Sequence, residues 1–88
     1  MPKVRLNDEE SRRIEYLFES PSVSPRIKTR LKILLILDTT HNQTPPSYTE
    51  CGHYLGISRT TVKNVVNKFL SGGINEVISN FNPEGRYR

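Results

Sequence analysis

The run Ser47-Tyr48-Thr49-Glu50-Cys51-Gly52-His53-Tyr54-Leu55-Gly56-Ile57-Ser58-Arg59-Thr60-Thr61-Val62 constrains this chain more than any other stretch. Two helix starts and one helix stop fall inside it. Ser47 offers an oxygen to the free amides of a first helical turn, and Glu50 can reach back to close a capping box. Gly56 accepts the left-handed torsion that ends a helix cheaply. Ser58 then caps a second helix. The intervening turn is so short that the two helices must cross closely. Gly52 provides the small residue such a crossing needs, and Leu55, Ile57, Val62 and Val65 are the apolar residues that set its angle. Cys51 takes another inward place as a small hydrophobe. Glycine costs up to ~1 kcal/mol against alanine in a helix, so the first helix of the pair leans on packing.

The flanking sequence is helical as well. Asn7 and Glu10 predict a capping box, with Asp8 and Glu9 suited to the positive end of the helix dipole. Ile14, Leu17 and Phe18 then share one face, and the helix should stop near Ser20-Pro21. Ser24-Pro25 opens a second helix. Its apolar stripe is Ile27, Leu31, Leu34 and Leu35, and Ile33, Ile36 and Leu37 extend it nearly all round, which makes it the central helix. Arg26, Lys28, Arg30 and Lys32 crowd its first half. A polar loop from Thr39 to Pro46 follows. The helix after Ser58 turns Val62, Val65, Val66 and Phe69 inward and should stop at Gly72-Gly73. Ile74, Val77 and Ile78 suit a brief fifth helix. Tyr48 and Tyr54 suit packing places with wet hydroxyls, and His53 suits the surface. The expected fold is all-α: a compact bundle of four to five helices over residues 1–79, with a helix-turn-helix at 47–71 and a basic tail at 80–88.

The bulk numbers narrow the function classes. A chain of 88 residues fits one domain, whose small core must use every apolar helix face. The apolar run Ile33 to Leu37 is too short to cross a bilayer, and Met1-Pro2-Lys3-Val4-Arg5 has no leader pattern behind its charges. The lone Cys51 forms no internal disulfide, so a cytoplasmic setting is expected. His41 and His53 are too isolated for a metal site, and no nucleophile-base pair, phosphate-cradling glycine loop or carboxylate trio stands out. No catalytic residue, metal or cofactor is expected. The net charge is +4. From Arg59 onward the cations Arg59, Lys63, Lys68, Arg86 and Arg88 face only Glu76 and Glu84, whereas the earlier part is nearly balanced. A basic C-terminal third is the electrostatic footprint of a phosphate-contacting surface, although a merely solvated face would look similar.

The outer face of the helix after Ser58 goes further. It carries Arg59, Thr60, Lys63, Asn64 and Asn67, and no acid lies between Arg59 and Ser71. Arginine pairs with both guanine acceptors in the major groove and asparagine with the adenine edge. A face kept only for solvation more often pairs glutamate with lysine. Double-stranded DNA is therefore the expected partner. Arg59, Thr60, Lys63, Asn64 and Asn67 are the candidate base contacts. Ser47, Ser58, Thr61, Lys68, Arg86 and Arg88 are the candidate phosphate contacts.

Several stretches also resemble the N-terminal region of mariner-like bacterial insertion-sequence transposases. They are Leu6-Asn7-Asp8-Glu9-Glu10, Ser24-Pro25-Arg26 leading into Arg30-Leu31-Lys32-Ile33-Leu34-Leu35, and Leu55-Gly56-Ile57-Ser58-Arg59-Thr60-Thr61-Val62. Lys68-Phe69, Gly72-Gly73-Ile74 and Pro83-Glu84-Gly85-Arg86 continue the order. The resemblance implies a homeodomain-like module that recognises terminal inverted repeats. In that family a Gly-Arg-Pro tail leads toward a second DNA-binding unit and a catalytic domain with three metal-binding acids. The chain departs from the pattern at Gly52, where alanine is usual, at Val65, where an aromatic is frequent, and at Gly85-Arg86-Tyr87-Arg88, which lacks the proline. It carries no catalytic region and is not expected to cut DNA by itself. The ending Arg86-Tyr87-Arg88 looks like a cut through a linker. A standalone dimeric regulator, weakly paired through Ile33, Ile36 and Leu37, is one alternative. A helical protein-interaction module without nucleic-acid binding is another.

Overall fold

Every helix begins where a side chain is ready to satisfy its first amides. The computed structural model describes residues 3–40 and 42–78. In α1 (Asp8–Glu19) the Asn7 Oδ1 accepts from the Glu10 amide at 2.7 Å, and Glu10 Oε1 accepts from the Asn7 amide at 2.9 Å. The helix ends as Ser20 turns extended ahead of Pro21. In α2 (Pro25–Leu37) Ser24 Oγ accepts from the Ile27 amide at 3.3 Å, and Pro25 fills the first turn. In α3 (Tyr48–Leu55) the Ser47–Glu50 box closes with bonds of 3.1 and 3.0 Å. In α4 (Arg59–Ile78) Ser58 Oγ accepts from the Thr61 amide at 3.1 Å. Among the described residues the regular structure is helical, apart from one isolated parallel bridge between Val4 and Asp38.

The core forms around α2, which packs against α1, α3 and α4. Ile27, Leu31, Ile33, Leu34 and Leu37 are buried, joined from α4 by Val62, Val65, Val66 and Phe69. The expected stripe is wrong in one member, because Leu35 is 40% exposed. At about 100° per residue it lies beyond the buried arc, beside Lys28 and Lys32. Ile33 and Leu37 lie instead in the chain's own core, with Ile36 half-buried against it. Apolar excess on α2 therefore goes mostly to internal packing.

The helix after Ser58 stops at the glycine pair as expected: Gly73, with a φ of 75° and a ψ of −163°, leaves the helical region and separates a short second helical limb, counted here within α4, from the long one. The short limb beyond this break buries Ile74 and Val77. Arg30 Nη1 donates to the Val77 carbonyl at 3.1 Å and ties that limb to α2. Burial, aided by the neighbouring Arg26 charge, holds the Arg30 guanidinium below its ordinary pKa.

The segment ahead of α1 is also part of the core, which the sequence did not announce. Val4 and Leu6 are each 2% exposed. The Val4 carbonyl accepts from the Thr39 amide at 2.8 Å and the Thr39 hydroxyl at 3.0 Å. Asp38, buried at the end of α2, accepts from the Leu6 amide at 3.0 Å and the Thr40 amide at 2.9 Å.

The α3–α4 crossing rests on Gly52. Its carbonyl accepts from the Ile57 amide at 2.9 Å, the Gly56 amide donates to the His53 carbonyl at 3.3 Å, and Gly56 adopts a φ of 73°. A Cβ on Gly52 would stand 2.7 Å from the Ile57 carbonyl oxygen, a backbone atom that cannot swing aside. Glycine here is a requirement of the turn rather than a weakness of the helix.

Two substitutions test this frame. Gly52→Ala should lower stability by about 1–3 kcal/mol through overpacking, despite alanine's better helix propensity. A raised urea midpoint would show that the crossing has slack. Asp38→Ala orphans the buried Leu6 amide, and a loss of about 1–3 kcal/mol is expected in the same measurement.

Candidate nucleic-acid interface

The long limb of α4 separates its residues cleanly into two sides. Val62, Val65, Val66 and Phe69 are buried, and Arg59, Thr60, Thr61, Lys63, Asn64 and Asn67 are exposed, with Lys68 half-buried. At about 100° per residue, Thr60, Asn64 and Asn67 form a crest opposite the buried stripe. Arg59 and Lys63 occupy one shoulder, beside the 47% exposed Leu70. Thr61 and Lys68 occupy the other. Neutral side chains able both to donate and to accept therefore run along the middle, with cations on either flank.

Among the described residues, no hydrogen bond or ion pair holds the side chains of Arg59, Thr60, Lys63, Asn64, Asn67 or Lys68. Their donors and acceptors face solvent. The first turn of α4 carries no acid of its own to offset the positive end of its dipole, and Ser58 Oγ caps only the Thr61 amide. Ser58 and Thr61 are partly engaged: their hydroxyl oxygens lie 2.9 Å apart and share one hydrogen bond. Two hydroxyls with one mutual bond leave one O–H for an outside acceptor.

α3 supplies the second edge. Ser47 is exposed at its start, where its oxygen caps Glu50 while its own O–H stays available. The same box places the Glu50 carboxylate at this end. At the far end His53 is exposed as expected, but Tyr54 is 80% exposed rather than packed, whereas Tyr48 is buried at 7%. The tail cations Arg86 and Arg88 lie outside the described residues, as does His41.

Among the described residues no group of three or more His, Cys, Asp or Glu could hold a metal ion. Nor, among the described residues, is any helix long and apolar enough to cross a membrane. Comparison of the chain with protein-family models, curated proteins and solved structures finds no match.

Cys51 lies beneath this surface, fully buried, and burial pushes its thiol above the ordinary pKa. A neutral, covered thiol is a poor nucleophile. In native protein at neutral pH an aromatic disulfide reagent should leave Cys51 unreacted, and urea should release one fast-reacting thiol. Rapid labelling without denaturant would mean that α3 opens locally.

Proposed function

We propose that this protein is a sequence-specific double-stranded DNA-binding module that inserts the Arg59–Ser71 limb of α4 into the major groove. α3 then acts as the bracing member of a helix-turn-helix. One observation carries the proposal: on the acid-free polar side of α4, Arg59, Thr60, Lys63, Asn64 and Asn67 are exposed and their side chains are unengaged by the chain's described residues. The arrangement across that side favours a duplex over a generic polyanion. Asparagine and threonine on the crest suit base edges, while lysines on the shoulders suit the phosphate walls of the groove. Arg59 sits in the first turn, the part of a recognition helix that contacts bases, and its length lets it reach inward from the shoulder.

The parent activity we infer is recognition of transposon ends, by a homeodomain-like module of the kind the sequence resembles. That proposal rests on the resemblance alone. Ser47, Ser58, Thr61 and Lys68 are the phosphate contacts within the described residues, with Arg86 and Arg88 beyond them.

Selection of bound sequences from a random duplex library should return a consensus. Titration against that duplex and a scrambled one, at fixed salt, then separates the roles. Arg59→Ala and Asn64→Ala should each reduce the preference for the selected duplex by about 1–3 kcal/mol. Lys68→Ala should weaken both duplexes alike and lower the slope of log affinity against log salt by about 0.9. Equal losses on both duplexes for Arg59→Ala and Asn64→Ala would remove base readout. Absence of any salt-dependent binding would remove the DNA proposal altogether.

A further inference from the structure

A second cationic surface borders Ser47, at the start of α3. The segment Lys3–Leu6 runs extended beside the end of α2, held by the Val4–Asp38 bridge and the Leu6 amide bond to Asp38. Side chains alternate along an extended strand. Val4 and Leu6 face the core, so Lys3 and Arg5 are both turned outward, and both are exposed. They line an open cleft of about 730 Å³, whose other polar walls are Thr39, Gln43 and Ser47. Among the described residues no acid lines it. Asp38, next to Thr39, is 1% exposed and turned inward to the Leu6 and Thr40 amides, and Glu50 stands at the rim, its carboxylate accepting from the Ser47 amide at 3.0 Å.

We infer that this cleft holds a phosphodiester stretch of the DNA backbone, gripped by Lys3 and Arg5, as a second contact outside the groove that α4 enters. The inference rests on the DNA-binding reading of α4 and extends it to the N-terminal segment. Geometry connects the two surfaces. α3 has eight residues and so spans about 12 Å at 1.5 Å per residue. The major groove is about 12 Å wide. With α4 in the groove, the far end of α3 at Ser47 reaches the flanking backbone, and Lys3 and Arg5 continue the contact. A small free anion fits the cleft poorly: it is open to solvent, and its two cations are long, exposed side chains with nothing to hold them together. A strand bearing phosphates at regular spacing engages both without closing the site.

The test uses the full chain and a short mixed-sequence duplex, because backbone contacts need no particular sequence. The Lys3→Gln/Arg5→Gln variant should keep the unfolding midpoint of the parent, since both side chains are exposed. Its slope of log affinity against log salt should fall by about 1.8, the sum for two released counterions. The preference between selected and scrambled duplexes should not change. An unchanged slope, with duplex binding by the parent intact, overturns this inference and leaves the α4 reading standing. Absence of salt-dependent duplex binding by the parent overturns both. Inorganic phosphate at constant ionic strength, followed through the Lys3 and Arg5 amide resonances, should produce no saturable shift. Saturation would mark a small-anion pocket and overturn the assignment to a nucleic-acid strand.

Discussion

The contact between Gly52 and the Ile57 carbonyl fixes how α3 and α4 are set against each other, and the exposed side of α4 inherits its aim from that contact. A helix turn is a coarse device by itself, because its torsions vary from residue to residue. Here the variation is removed from three directions. Gly56 takes its left-handed torsion, the Gly52 carbonyl accepts the Ile57 amide, and the approach leaves no space for even a methyl group at Gly52. Val62 and Val65, in the first turns of α4, are both buried. Backbone atoms form the closest contact, so the crossing depends little on side-chain rotamers.

The charge arrangement follows from where the core is. Because α4 turns Val62, Val65, Val66 and Phe69 into the core, its opposite side carries no packing duty among the described residues and can be composed for another purpose. Its chemistry differs from an ordinary solvated helix. Ion pairs along the surface would contribute only a few tenths of a kcal/mol each, so leaving them out costs the fold little. It does leave the cations of that side without an acid on the same stretch of helix. On the proposed reading they draw a polyanion over distances limited by salt, and the Lys3–Arg5 surface adds to that pull from a separate strand of the chain. Glu50 opposes it from the start of α3, where its capping bond to Ser47 holds it in place.

How much of this was legible in the sequence depended on distance along the chain. The capping boxes at Asn7–Glu10 and Ser47–Glu50, the Ser24-Pro25 start and the Gly56 stop are all local, and each was readable because cause and effect lie within four residues. The buried and exposed sides of α4 were readable for the same reason. The N-terminal segment was not. Val4 and Leu6 earn their burial only by pairing with a stretch more than thirty positions away, and a single bridge leaves no repeated pattern to detect. The signal present was a two-residue alternation, Lys3 and Arg5 out, Val4 and Leu6 in, too short to separate from chance. Leu35 and Tyr54 show a second limit. Periodicity names a face, but neighbouring elements decide how wide the covered arc is, and both residues lie just beyond it.

The break at Gly73 gives the long limb of α4 a second point of attachment. If the helix ran straight past Ser71, its far end would project from the body and be free to bend. Instead the chain turns at a single positive-φ residue and places Ile74 and Val77 back into the core, where the Arg30 guanidinium donates to the Val77 carbonyl and holds the end of the limb. The surface between Ser58 and Gly73 is thereby held at both ends, by the Gly52 crossing on one side and by α2 on the other. Such a surface loses little conformational freedom on binding, and less of the interaction energy is offset by ordering. On the proposed reading the same two attachments also serve discrimination, because a helix tied at both ends is less free to relieve a mismatched base edge by tilting away from it.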